Sequence, residues 1–135
     1  MKKNRQYTDE HAEAGLRADL PAIETWPNQY DDGYEIEIEM PEFTSVCPKT
    51  GLPDHGTLRL IYTPAKHCLE LKSLKMYTLA YRNLGIFQEN VVNRVLADIV
   101  KAARPLQATV VGDFAARGGI TTRVTATYRQ RKRIN

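Results

Sequence analysis

Cys47 and Asp54, seven residues apart, are the residues whose types and spacing could support covalent chemistry in this sequence. They belong to a stretch, residues 42–54, that also holds two prolines and a glycine and is typical of a turning loop with a fixed shape. Such a loop can hold a thiol near a carboxyl group. The thiolate is the reactive form of cysteine, and a positioned neighbour is needed to activate it or to handle its protons. The alternative is a small buried cysteine beside a turn-forming aspartate, because free cysteine is usually a packing residue.

Four residues carry the soft or nitrogen donor atoms that zinc prefers, namely Cys47, His55, His67 and Cys68. His67 and Cys68 are adjacent, however, and the sequence has no paired-cysteine spacing. We therefore predict no metal site.

The composition is that of one ordinary globular domain. The chain has 135 residues, of which 42% are hydrophobic, and its formal net charge of +3 does not by itself indicate a nucleic-acid partner. Two cysteines without a spaced framework favour a reducing, intracellular compartment. The sequence has no signal peptide and no apolar span, so we expect a soluble, cytoplasmic protein.

The ends of the chain differ in composition from its centre. Residues 1–33 are polar, with turn signals at residues 26–28 and 31–33, and we interpret them as an N-terminal extension in which a short helix near residues 10–20 is possible. Residues 129–135 form a basic tail. Such runs can contact nucleic acid, although a solvated tail is the commoner situation.

The central part, residues 34–128, predicts an α+β domain of order ββααββ. Alternating apolar and polar residues predict strands, and apolar residues at helical spacing predict two helices, which Gly85 and Pro105 would end. The predicted strands cover residues 34–40, 57–63, 108–115 and 120–128, and the predicted helices cover 72–84 and 88–103.

Three separated motifs resemble, in order and spacing, those of the NADPH-dependent 7-cyano-7-deazaguanine reductases, the nitrile reductases of queuosine biosynthesis, in their short single-module form. They are CPKTGLPD at residues 47–54, ELKSLKMY at residues 70–77 and FQEN at residues 87–90. The resemblance runs from about Glu35 to Tyr128. It implies the tunnelling fold, in which four antiparallel strands carry two helices on one face. It also implies sheets joined edge to edge into a barrel, with rings of identical subunits stacked in pairs and active sites at subunit boundaries.

The resemblance also implies the chemistry. The family reduces a nitrile to a primary amine with two hydrides from NADPH, after a cysteine thiolate has added to the nitrile carbon and formed a covalent thioimide. Cys47 matches this nucleophile and Asp54 the proton donor. That role requires Asp54 to carry a proton near neutral pH, through burial or through the ligand.

The remaining site residues come from the same resemblance. Five residues match substrate-binding positions, namely Leu69, Glu70, Leu71, Gln88 and Glu89. Among them, Gln88 stands where many members of the family have histidine. Three match positions implicated in NADPH binding, where cationic groups would meet the 2′-phosphate: Lys72, Lys75 and Arg117. Taken alone, the two glutamates would be exposed helix-start carboxylates and the lysines solvated side chains. Two other functions stay open on the residues alone, a zinc-dependent cyclohydrolase or pterin-type enzyme of the same fold and a non-catalytic RNA-binding module.

Overall fold

The computed structural model describes residues 6–131, which form two antiparallel sheets and three helices. In chain order the elements are α1 (Asp9–Glu13), β1 (Thr25–Pro27), β2 (Ile36–Val46), β3 (Pro53–Thr63), β4 (His67–Leu69), α2 (Leu71–Leu79), α3 (Gln88–Ala103), β5 (Gln107–Arg117) and β6 (Ile120–Arg129). The larger sheet has the strand order β2-β3-β5-β6, and every neighbouring pair is antiparallel. The predicted α+β class with antiparallel sheets is confirmed.

Helix α3 covers one face of the larger sheet. Its apolar residues recur at helical spacing, so one side of the helix is buried against β5 and β6. The buried residues of that side are Val91, Val92, Val95, Ile99 and Ala103. They join Leu58, Leu60 and Val110 of the sheet in one core cluster. The predicted bounds of this helix, residues 88–103, are confirmed.

Strand β2 is longer than predicted, and residues 42–46, which we expected in a loop, belong to it. The register against β3 shifts between Met40 and Phe43. Such a bulge interrupts the two-residue alternation, and alternation was the signal on which the predicted strand end depended. The loop itself is therefore shorter than the stretch defined from composition.

Helix α2 is shorter than predicted, because it ends at Leu79 rather than at residue 84. The chain then turns, with the Leu84 N–H donating to the Tyr81 carbonyl oxygen at 3.0 Å. Tyr81 is fully buried, so its position in the predicted apolar stripe reflects core packing rather than a continued helix. The prediction that Gly85 ends this helix is wrong.

A small second sheet was not predicted. Strand β1 pairs antiparallel with β4, with Trp26 opposite Cys68. From the sequence, residues 26–28 predict a turn instead, because a three-residue strand containing proline carries no alternation signal. This pairing holds the N-terminal extension against the domain. The last four residues of the predicted basic tail, 132–135, and the first five of the extension lie outside the described residues.

Within residues 6–131, no helix is long and apolar enough to cross a membrane.

Candidate active site

The hairpin between β2 and β3 fixes the thiol and the carboxyl group that the sequence singled out. Cys47 follows β2 directly, and its backbone N–H donates to the Leu52 carbonyl oxygen at 2.9 Å. The Gly51 N–H donates to the Cys47 carbonyl oxygen, also at 2.9 Å, and Gly51 has a φ of +73°, which glycine adopts without strain. Asp54 lies on β3 opposite Ser45. The turn therefore places both functional groups at the same end of one strand pair.

The start of α3 is held beside this hairpin by backbone hydrogen bonds. The Val46 N–H donates to the Leu84 carbonyl oxygen at 3.0 Å, and the Ile86 N–H donates to the Val46 carbonyl oxygen at 2.9 Å. These bonds leave residues 87–89, the N-cap and the first two residues of the helix, next to Cys47.

Five of the predicted site residues line one cleft of about 480 Å³. They are Cys47, Asp54, Gln88, Glu89 and Arg117, contributed by the hairpin, the first turn of α3 and the end of β5. Cys47 is 9% exposed and Asp54 is 4% exposed, so both lie at the floor of the cleft rather than on its rim. A small ligand in this cleft can meet a thiol and carboxylates at once.

The loop around Cys47 makes its thiol more acidic than an ordinary cysteine. Burial is the largest influence and raises the pKa of Cys47, and the negative charge of Asp54 also raises it. Hydrogen bonds from the Thr50 hydroxyl and from the backbone N–H groups of Thr50 and Lys49 stabilise the thiolate, and together they bring the pKa below its usual value. The site therefore favours the nucleophilic form of the sulfur.

Arg117 forms an ion pair with Asp54 inside the cleft. Its Nη1 atom lies 2.5 Å from Asp54 Oδ1, and the hydrogen bond with this carboxylate raises the pKa of Arg117. The Asp54 side chain is 6% exposed and that of Arg117 is 36% exposed, so the guanidinium spans from the buried carboxylate towards solvent. We predicted Arg117 as a cofactor ligand, and in this structure it contacts the predicted proton donor.

The other five predicted residues lie outside this cleft. Leu69 is buried at the end of β4, where its backbone N–H donates to the Tyr62 hydroxyl at 2.9 Å. Glu70 caps α2, accepting the N–H groups of Ser73 at 2.7 Å and Lys72 at 2.9 Å, and these two hydrogen bonds lower the pKa of Glu70.

Two of the five predicted residues outside the Cys47 cleft, Leu71 and Lys75, line a separate cleft of about 360 Å³ between β2 and α2. Lys72 and Lys75 are both exposed on α2. Within a single chain, the structure therefore divides the predicted site residues into two groups.

The possible zinc ligands are dispersed. Cys68 is buried in β4, where its sulfur lies 3.4 Å from the Tyr34 hydroxyl. His67 is exposed on the same strand, and His55 contacts Thr44 on the hairpin. Over residues 6–131, no three His, Cys, Asp or Glu side chains converge in a way that could hold a metal ion.

Seven residues that line the cleft were not among the predicted site residues, namely Tyr7, Thr50, Phe87, Ala115, Gly118, Ile120 and Thr122. Thr50 lies inside the CPKTGLPD motif, and its position three residues after the cysteine could have suggested a hydrogen bond to the sulfur. Phe87 directly precedes the helix and is its N-cap residue. Tyr7 carries no signal in the sequence, because it reaches the cleft through contacts with residues more than forty positions away.

Comparison with known proteins identifies the family of this chain. The family model described as QueF-like protein matches residues 53–133. A protein of Elusimicrobium minutum named NADPH-dependent 7-cyano-7-deazaguanine reductase is 54% identical over 93% of this chain and 95% of its own length. Proteins with the same name from Chloroherpeton thalassium and Chlorobaculum tepidum are 59% and 57% identical, each over 82% of this chain and over 96% and 95% of their own lengths.

A solved structure supports the fold independently. The apo form of the archaeosine synthase QueF-Like superposes with a TM-score of 0.65 at 19% identity, covering 77% of this chain and all of the other. The sequence identity to full-length relatives, together with the family match, shows that the chain belongs to the QueF-like family of NADPH-dependent 7-cyano-7-deazaguanine reductases.

Proposed function

We propose that the protein reduces the nitrile of 7-cyano-7-deazaguanine to the aminomethyl group, using two NADPH, in the biosynthesis of queuosine. The relatives that carry this name cover most of the chain. The observation that carries the proposal is the cleft in which a buried, acidified thiol lies with the carboxyl group of Asp54 and with that of Glu89 at the start of a helix.

Cys47 is the nucleophile of the proposed reaction. Its thiolate adds to the nitrile carbon and forms a C–S bond, while one electron pair of the triple bond moves to the nitrogen, which takes a proton. This addition divides one difficult reduction into easier steps through a covalent thioimide. The hydrogen bonds from Thr50 and Lys49 that lower the pKa of Cys47 supply the thiolate that the step needs.

Asp54 is the proposed source of the proton. An ion pair needs the carboxylate, whereas a proton donor needs the neutral acid. Asp54 can therefore donate only after its contact with Arg117 has broken and the freed carboxylate has taken up a proton from solvent. The 2′-phosphate of NADPH is a group that could draw the guanidinium away, because arginine binds phosphate through several parallel N–H groups. This exchange would reconcile the cofactor role proposed for Arg117 with its place beside Asp54.

Glu89 is the proposed partner of the purine edge. It lies in the first turn of α3 and lines the same cleft as Cys47. A carboxylate can accept both N–H donors of a guanine-like ring, and neighbouring Gln88 adds an amide that can donate or accept. The ring would then lie with its N–H edge towards the helix and its nitrile towards the thiol.

NADPH supplies the two hydrides, and the residues that would hold it are cationic. Lys72 and Lys75 are exposed on α2 and can meet its phosphates. We assign these lysines, with Leu69, Glu70 and Leu71, to the site of a neighbouring subunit. Their separation from the Cys47 cleft in one chain supports this arrangement.

A homo-oligomer would also explain the sheet edges. Strands β2 and β6 form the two edges of the larger sheet. Joining these edges between subunits, as the tunnelling fold does, would satisfy their free backbone groups. We propose that residues 34–128 form this tunnelling-fold domain, preceded by the extension 1–33 and followed by the basic tail 129–135.

Mixing two inactive variants tests the shared site. Cys47→Ala and Lys75→Ala should each be inactive or nearly so. When their subunits are mixed at random during refolding or co-expression, about a quarter of the boundaries combine an intact Cys47 with an intact Lys75 of the neighbour. We expect about that fraction of the parent activity to return. No recovery in a demonstrably mixed oligomer would contradict a site built by two subunits.

Incubation with the nitrile alone tests the function itself. Intact-mass measurement should reveal one substrate mass added to the protein, located on Cys47 and absent from Cys47→Ala. Adding NADPH should consume two equivalents for each substrate reduced. A parent protein that forms no adduct and oxidises no NADPH with this nitrile would overturn the proposal.

A further inference from the structure

The N-terminal extension brings an aromatic side chain into the candidate active site. Tyr7 lines the cleft that holds Cys47 and Asp54, and it also lines an adjoining cleft of about 410 Å³ together with Glu89. Tyr7 belongs to a segment, residues 6–18, for which the sequence suggested no function. Its place in the cleft needs an explanation, because the first residues of most domains are poorly fixed unless they are tied down.

Helix α3 fixes the path of this segment. The Asn90 side-chain amide donates to the Ala12 carbonyl oxygen at 2.7 Å. Arg94 donates through Nη1 to the Gly15 carbonyl oxygen at 2.7 Å and through Nη2 to the Ala18 carbonyl oxygen at 2.6 Å. Three side-chain hydrogen bonds thus hold the segment to the same helix that carries Glu89 at its start.

The hairpin loop and the helix start hold the ring of Tyr7 itself. The Lys49 ammonium group lies 5.1 Å from the centre of the ring, and it also lies 3.4 Å from the Gln6 carbonyl oxygen. The ring centre lies 5.5 Å from that of Phe87 and 5.6 Å from that of His11. Cation–π and aromatic contacts of this kind orient a ring without covering both of its faces.

Tyr7 remains 56% exposed despite these contacts. An aromatic ring that is held in place, keeps much of its surface free and borders a cleft is suited to contact a flat heterocycle. The carboxylate of Glu89 in the same cleft can take the edge of that heterocycle.

We propose that Tyr7 is a substrate-binding residue and that its ring packs against the face of the 7-deazapurine while Glu89 accepts the N–H groups of its edge. This inference rests on the proposed function. It gives the N-terminal extension a role in substrate binding. It also makes the contacts of Asn90, Arg94 and Lys49 positioning contacts, since they hold the ring where the substrate must lie.

Measuring substrate binding in a variant that cannot react tests the contact between Tyr7 and the substrate. In a Cys47→Ala background, Tyr7→Ala should raise the dissociation constant of 7-cyano-7-deazaguanine roughly tenfold to one-hundredfold, the range for loss of one base–aromatic contact. Tyr7→Phe should bind like the parent, because the ring is kept. Tyr30→Ala is the matched control, since Tyr30 is an exposed tyrosine of the same extension that does not line the cleft.

A fluorescence experiment tests the geometry separately from the affinity. Tyr7→Trp in a Trp26→Phe background leaves a single indole, because the chain has one tryptophan. Addition of the nitrile should quench its emission, as a ring stacked on the indole does. Unchanged affinity in Tyr7→Ala, or an emission that saturating nitrile leaves unaltered, would overturn the role of Tyr7. Failure of the proposed function would differ, because the parent protein itself would then neither bind nor reduce the nitrile.

Discussion

Replacing Thr50 by valine should make the Cys47 thiol less acidic, and it also removes the hydroxyl that accepts the Leu52 N–H at 3.2 Å. The Thr50 hydroxyl is one of the donors that lower the pKa of Cys47, the others being the backbone N–H groups of Thr50 and Lys49. Valine has nearly the shape of threonine but no hydroxyl group. Burial and the charge of Asp54 both raise the pKa of Cys47, and fewer hydrogen bonds would then offset them, so the pKa of Cys47 should rise.

The expected size follows from the hydrogen bond that is lost. A hydrogen bond to a charged group contributes about 1.5 kcal/mol or more, and 1.4 kcal/mol corresponds to about a factor of ten in an acid dissociation constant. Sulfur is a weaker acceptor than oxygen, so we expect the thiolate fraction of Cys47 at pH 7 to fall by roughly threefold to tenfold.

Alkylation by iodoacetamide measures this fraction, because only the thiolate reacts quickly. Rates followed by mass spectrometry from pH 6 to pH 10, in a Cys68→Ala background, should rise with pH for both proteins. The curve for Thr50→Val should lie at higher pH, and the two rates should converge once both thiols are ionised. Thr50→Ser keeps the hydroxyl group and is the control that should follow the parent curve.

Two outcomes would refute this reasoning about Thr50. Identical pH curves for the parent and Thr50→Val would mean that the hydroxyl does not stabilise the thiolate. A variant slower by the same factor at every pH would mean that Thr50 controls access of the reagent rather than acidity. Either result would remove the main support from the structure for an activated Cys47.

Three further predictions concern the same hairpin. Asp54→Asn should speed alkylation of Cys47 at pH 7, because the charge that raises its pKa is lost, while nitrile reduction falls strongly; slower alkylation would contradict this. Gly56→Ala should lower the free energy of unfolding by about 2 kcal/mol in urea titration, because the added Cβ would lie 2.5 Å from the Asp113 carbonyl oxygen of β5. Ser45→Ala should leave the melting temperature unchanged or raise it, because its buried Oγ has no hydrogen-bond partner within residues 6–131, and a lower melting temperature would reveal such a partner.

The parts of the fold that could be predicted depend on short-range patterns. Helix α3 satisfies the rule for an amphipathic helix over its whole length, and a proline shortly follows its end, so its bounds were predictable. The end of α2 was not predictable from such patterns. The chain must leave the helix early because residues 84–86 pair with Val46 at the end of β2. That requirement comes from a strand almost forty residues earlier, and no window along the helix contains it.

The candidate site divides in the same way. Cys47 and Asp54 lie in one hairpin, so a local motif could predict both. The cleft also contains Glu89, which the backbone hydrogen bonds of Val46 bring to the hairpin. It contains Arg117 as well, which lies 63 positions after Asp54 in the sequence and contacts it. The resemblance to a family supplied these residues, whereas periodicity and composition could not.

Arg117 illustrates what such a resemblance leaves open. A matched motif predicts that a residue belongs to a site, but it does not predict which partner that residue contacts when no ligand is bound. In this chain the guanidinium lies on the carboxylate of Asp54, which is almost completely buried. A buried carboxylate without a partner is costly, so some cation must balance it whenever the cofactor is absent. The same arginine can serve both states if binding of a phosphate favours protonation of Asp54, and this coupling would speed proton transfer once the cofactor is in place.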